Sequence, residues 1–136
     1  MPNRLFLDTS FVIALINDRD QYYNQAQTLS YKFENSPLTT TDAVLLEIGN
    51  GLAKAFRKEA VEVIRVLRSG KNTDVIEIDA RLFEKGFEIY EKYDDKGWGL
   101  VDCISFVAMW ERGITEALTF DSDFEQAGFT ILKGLS

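Results

Sequence analysis

Short apolar runs that stop at an acid alternate along this chain with stretches of helical periodicity. Arg4-Leu5-Phe6-Leu7 ends at Asp8, and Ala117-Leu118-Thr119-Phe120 ends at Asp121. A run that is apolar at nearly every position suits a strand covered on both faces, as in a parallel sheet. Parallel neighbours need a crossover, usually a helix. The alternation therefore predicts an α/β fold, a three-layer α/β/α sandwich around a mainly parallel sheet of four to five strands. The 136 residues suit a single domain, 1–136.

Strands are expected at 4–8, 38–40, 75–78, 116–120 and 129–132. Helices are expected at 9–17, 21–34, 42–57, 59–68, 80–93, 100–111 and 121–127, with Thr41 or Asp42 capping the third and Asp79 the fifth. In such sheets, ligands bind beyond the carboxyl ends of the strands, at the topological switch point. Asp8 and Asp121 stand at two of those ends. Asp102 falls in the first turn of a helix, where the macrodipole favours an anion. Glu47 lies between Val44 and Ile48, near the apolar side of its own helix.

Acids among buried positions are rare unless they are paired or bind a metal. Asp102 is flanked by Leu100, Val101, Cys103, Ile104 and Phe106. Four converging carboxylates repel one another, and a divalent cation is the simplest way to hold them. That reading points to a Mg²⁺-type site and to phosphodiester chemistry. Blander roles stay open: Asp8 as the cap of the first helix, Glu47 as an exposed acid paired with Lys54, and Asp123 in place of Asp121. Ser10 and Thr119 carry hydroxyls that can orient carboxylates or water.

The composition excludes several alternatives. With no histidine, Ser-His-Asp and Cys-His mechanisms and the usual zinc sites are ruled out. A single cysteine, Cys103, allows no internal disulfide and suggests the cytosol. No apolar stretch suits a membrane span, and the first residues do not read as a signal peptide. The net charge of −7 argues against nucleic acid. Residues 54–71 run against it, with Lys54, Arg57, Lys58, Arg65, Arg68 and Lys71 opposed only by Glu59 and Glu62. A local basic footprint of this kind suits an RNA backbone, or else marks a solvated helix face.

Four pieces, in order and covering nearly the whole chain, resemble the PIN domain, and within it the VapC-type toxin ribonucleases of toxin–antitoxin pairs. They are Leu7-Asp8-Thr9-Ser10-Phe11, Thr40-Thr41-Asp42-Ala43-Val44-Leu45-Leu46-Glu47-Ile48, Gly99-Leu100-Val101-Asp102-Cys103 and Leu118-Thr119-Phe120-Asp121-Ser122-Asp123-Phe124. The resemblance implies an endoribonuclease with one or two Mg²⁺ or Mn²⁺ ions on Asp8, Glu47, Asp102 and Asp121, RNA as substrate, a homodimer and inhibition by a cognate antitoxin. Lys54, Arg57 and Lys58 are then expected to guide the RNA. Two positions depart from the pattern. Gly99 stands where a small hydroxyl residue is common, and Asp123 offers an extra acid beside Asp121. The competing expectations are a non-catalytic PIN-like metal- or RNA-binding module and a receiver-like phosphoacceptor. The latter leaves the fourth acid and the basic segment without a role.

Overall fold

The computed structural model describes residues 2–134. Strand β1 (Leu5–Leu7) leads into α1 (Thr9–Ile16) and α2 (Tyr23–Lys32), and β2 (Leu38–Thr41) into α3 (Asp42–Gly51) and α4 (Arg57–Arg68). Strand β3 (Thr73–Ile76) leads into α5 (Ala80–Lys92) and α6 (Leu100–Arg112). Strand β4 (Glu116–Leu118), the short α7 (Asp123–Gln126) and β5 (Thr130–Ile131) close the chain. The strands lie in the order β3-β2-β1-β4-β5, and every pairing is parallel. The expected α/β sandwich on a parallel sheet is what the chain forms.

The strand order explains the layers. From β1 the chain steps outward through β2 to β3, then crosses back to β4 on the other side of β1. Parallel crossovers are right-handed, so steps in opposite directions place their helices on opposite faces. On one face α1 therefore packs with α2 and α3, and α3 with α4, while on the other α6 packs with α5 and α7. The reversal falls between β1 and β4, and that is where a ligand crevice belongs.

The core holds Phe6, Phe106, Phe124 and Met109, none of them exposed. Phe106 meets Phe124 edge-on, with centroids 5.0 Å apart. Helix α6 is buried continuously from Cys103 to Met109 and ends at Gly113, whose φ of 68° gives the left-handed cap that glycine adopts without strain. Two of the expected caps form. Thr41 Oγ1 accepts from the Val44 N–H at 3.3 Å, and Asp79 Oδ1 accepts from the Leu82 N–H at 2.8 Å.

Several boundaries differ from expectation: β3 runs over Thr73–Ile76 and not 75–78, α2 is shorter at both ends, and α4 begins at Arg57. The third helix stops at Gly51, not near residue 57. A β-carbon on Gly51 would lie 2.7 Å from Ile13 Cδ1, so the glycine permits a close crossing of α1 and α3, and the Gly49-Asn50-Gly51 sequence supports helix poorly. Strand β4 ends at Leu118, two residues early, because the next two residues turn toward Ser10: the Phe120 N–H donates to Ser10 Oγ at 3.0 Å. Among the described residues no helix is long and apolar enough to cross a membrane.

Candidate active site

Parallel pairing of β1 with β4 sets Leu7 opposite Leu118, which brings Asp8 level with Thr119. Asp8 occupies the N-cap position of α1, yet its side chain makes no capping hydrogen bond. Its Oδ2 accepts two hydroxyls instead, from Thr119 Oγ1 at 2.7 Å and Ser10 Oγ at 2.8 Å. Those hydroxyl oxygens lie 3.0 Å apart. Each also accepts a backbone N–H, Phe120 to Ser10 and Asp121 to Thr119, both at 3.0 Å. Each hydroxyl thus relays polarisation from a peptide dipole to the carboxylate. Oδ1 is left without a hydroxyl partner. Only 4% of Asp8 is exposed, and burial pushes its carboxyl above the ordinary range. The two hydroxyls and the Thr9 backbone pull it down, and the charge of Asp121 pushes it up again.

Glu47 is half-buried on α3 and accepts a hydrogen bond from Thr9 Oγ1 at 2.7 Å. Asp102 stands in the first turn of α6. Its carboxyl is pushed up to about 7, chiefly by burial and then by the charges of Asp8, Asp121, Asp123 and Glu47. Five acids from four parts of the chain therefore act on one another at this edge. Carboxylate oxygens of Asp102, Asp121 and Asp123 lie within 4.8 Å of one another. Asp121 Oδ1 accepts the Asp123 N–H at 2.9 Å, which ties the two acids into one turn. The question of Asp121 against Asp123 thus becomes one of shared geometry: both face Asp102, while Asp121 alone also lines the cleft described next.

That cleft, about 510 Å³ and open to solvent, is lined by Asp8, Ser10, Glu47, Asp102 and Asp121, together with Thr9, Ile13 and Asn50. No lysine or arginine lines it. Among the described residues the ion pairs are Arg81 and Lys85 with Glu111, Lys96 with Asp95, and Arg112 with Asp74, all away from the cleft acids. The alternative of Glu47 paired with Lys54 is not what the side chains do. Lys54 stands in the turn after α3, and Arg57 and Lys58 open α4; all three are exposed and outside the cleft lining. The expectation that Lys54 and Arg57 continue the Glu47 helix fails because that helix ends at Gly51. Hard, uncompensated carboxylates without histidine or an accessible thiol are the donor set of Mg²⁺ or Mn²⁺.

The sequence reading did not single out Thr9 or Asn50. Thr9 had a signal in its place directly after Asp8, and Asn50 in its spacing of three from Glu47, which shares one helix face.

Comparison with known proteins agrees with this geometry. The PIN domain family matches residues 5–130. The 23S rRNA-specific endonuclease VapC20 of Mycobacterium tuberculosis is 31% identical over 129 residues, spanning 95% of this chain and 98% of that protein. The crystal structure of that VapC20, described as a sarcin–ricin loop cleaving toxin, superposes with a TM-score of 0.85 at 30% identity over 95% of this chain and 98% of the other. DNA-bound VapBC from Salmonella typhimurium shares the fold, with a TM-score of 0.66 at 18% identity over 97% of this chain and 98% of the other. A family match over nearly the whole sheet, a relative at this identity and the acids at the switch point together show that the chain belongs to the PIN domain family.

Proposed function

We propose that this protein is a metal-dependent endoribonuclease, the toxin of a toxin–antitoxin pair, acting in the cytosol on structured RNA. One observation carries the proposal: Asp8, Glu47, Asp102 and Asp121 meet in one cleft with no basic side chain to neutralise them. Asp8, through Oδ1, with Asp102 and Asp121, would hold Mg²⁺ or Mn²⁺, while Glu47 and Asp123 complete the donor set or position water. Such an ion, when bound, lowers the pKa of water and neutralises charge on the phosphate.

The chain's own residues do the rest. Ser10 and Thr119 fix the Asp8 carboxylate, and Thr9 fixes Glu47, so the acidic frame is organised before substrate arrives. Attack by water leaves a 5′ phosphate and a 3′ hydroxyl. The exposed Lys54, Arg57 and Lys58 draw in the RNA backbone from outside the cleft. Ribosomal RNA of the large subunit is the first substrate to test, given the names of the relatives. A homodimer and a cognate antitoxin belong to the same reading.

The test is incubation of the purified protein with large-subunit RNA in Mn²⁺, Mg²⁺ or EDTA, followed by mapping of the ends. Discrete 5′-phosphate ends that need the metal and vanish in Asp102→Asn are expected. Cleavage that persists in EDTA or in Asp102→Asn removes the proposed centre.

A further inference from the structure

We propose that an unpaired RNA base docks in an aromatic groove beside the acidic cleft and sets the sequence preference of cleavage. The inference rests on the ribonuclease reading and extends it to substrate selection. The groove, about 640 Å³, is lined by Phe87, Tyr90, Tyr93 and Trp98, with the carboxylates Glu91 and Asp94 at its side and the bare backbone of Gly97 and Gly99. Trp98 and Tyr93 root its wall in the core, while Phe87 and Tyr90 stand outside it, 42% and 46% exposed. These two rings stack with centroids 6.4 Å apart, and Phe83 extends the row, 6.3 Å from Phe87.

Position and charge choose the occupant. A β-carbon on Gly99 would lie 3.8 Å from Asp102 Oδ2, so the groove ends against the acid that helps line the cleft. Gly99 carries no side chain to close that passage. A nucleotide whose phosphate sits in the cleft therefore has its neighbour's base within reach of the groove. Glu91, Asp94 and the nearby Glu88 disfavour phosphate, and the lining itself has no lysine or arginine. Lys92 stands outside that lining, with Nζ 5.3 Å from the centroid of the Tyr93 ring. A neutral base fits: its face stacks on Tyr90 and Phe87, and an exocyclic amino group donates to a carboxylate. Adenine, guanine and cytosine carry such donors on an exocyclic amine, and uracil does not.

Two measurements test this. First, oligoribonucleotides with 2-aminopurine at single positions are bound to protein carrying Asp102→Asn, so that the strand stays intact. Quenching at one position, lost in Tyr90→Ala and Phe87→Ala and restored in Tyr90→Phe, is expected, with binding weaker by about tenfold in the alanine variants. Second, with the otherwise unaltered protein in Mn²⁺, Tyr90→Ala should raise KM and spread cleavage over more sequences at nearly constant kcat, and Glu91→Gln with Asp94→Asn should erode the preference for amine-bearing bases. Cleavage with unchanged KM and unchanged site choice overturns the inference and leaves the nuclease intact. Absence of cleavage by the unaltered protein counts against the nuclease instead, while 2-aminopurine quenching still judges the groove. A change from dimer to monomer in Tyr90→Ala, by sedimentation, also overturns it, because the aromatic row is then a subunit interface.

Discussion

Thr119 shows how much of the centre hangs on a single hydroxyl. It is fully buried, donates to Asp8 and accepts from the Asp121 N–H. Thr119→Val keeps the shape and removes both bonds. It leaves the part-buried Asp121 N–H unpaired, at a cost of up to about 1–3 kcal/mol, and leaves the Asp8 carboxylate with the Ser10 hydroxyl alone. Activity in Mn²⁺ should fall about 10- to 100-fold, the usual cost of losing a group that orients a ligand. Urea unfolding and initial rates check the two effects separately, and Thr119→Ser should restore most of both. At this scale the sequence was legible where chemistry and neighbours conflict. Asp8 ends an apolar strand and Asp102 sits among Leu100, Val101 and Cys103, so both stood out. Thr9 did not, because its bond to Glu47 spans 38 residues and exists only once α3 lies across α1.

Helix α5 lies against α6 at Gly86. A β-carbon there would meet Ile104 Cγ1 at 2.4 Å and the Ile104 Cα at 3.0 Å. The backbone half of that clash cannot be relieved by a rotamer change. Overpacking costs about 1–3 kcal/mol, against a gain of about 1 kcal/mol from replacing a helical glycine with alanine. Gly86→Ala should therefore lower the midpoint of thermal unfolding, measured by circular dichroism; a rise would mean that the helices separate freely. Nothing in the sequence marked Gly86 as a contact, since it falls in an otherwise regular amphipathic pattern. The end of α3 is marked locally by Gly49-Asn50-Gly51, but apolar residues that continue at helical spacing through Leu52 and Phe56 mask it. The existence and order of the strands and the caps Thr41 and Asp79 were legible because they are written in local residue chemistry, while the ends of β3 and β4 were not.

For the molecule as a whole, the acids make the fold's stability depend on pH and on metal. Without metal, Asp102 keeps its proton in the folded chain up to about pH 7, whereas an unfolded aspartate loses it above its ordinary 3.8. The native state therefore binds the extra proton between those values, and stability must fall as pH rises through that window. The contribution is complete below about 3.8 and gone above about 7. Asp8 and Asp123, both raised, add the same sign. Thermal midpoints in EDTA should decline from pH 5 to pH 8, with Asp102→Asn flattening the decline. Mn²⁺ should raise the midpoint most at the alkaline end, where the carboxylates are free to bind it. A metal-free midpoint that climbs over the same interval contradicts this account.

The clasp between Asp8 and Thr119 joins residues 111 positions apart. During translation the amino-terminal carboxylate emerges long before the hydroxyl that holds it, and before Asp121. A growing polypeptide therefore has no assembled centre until its final strands have left the exit tunnel. An amino-terminal fragment that stops short of Thr119 and Asp121 would therefore carry Asp8 without the hydroxyl that holds it and without the whole set of acids.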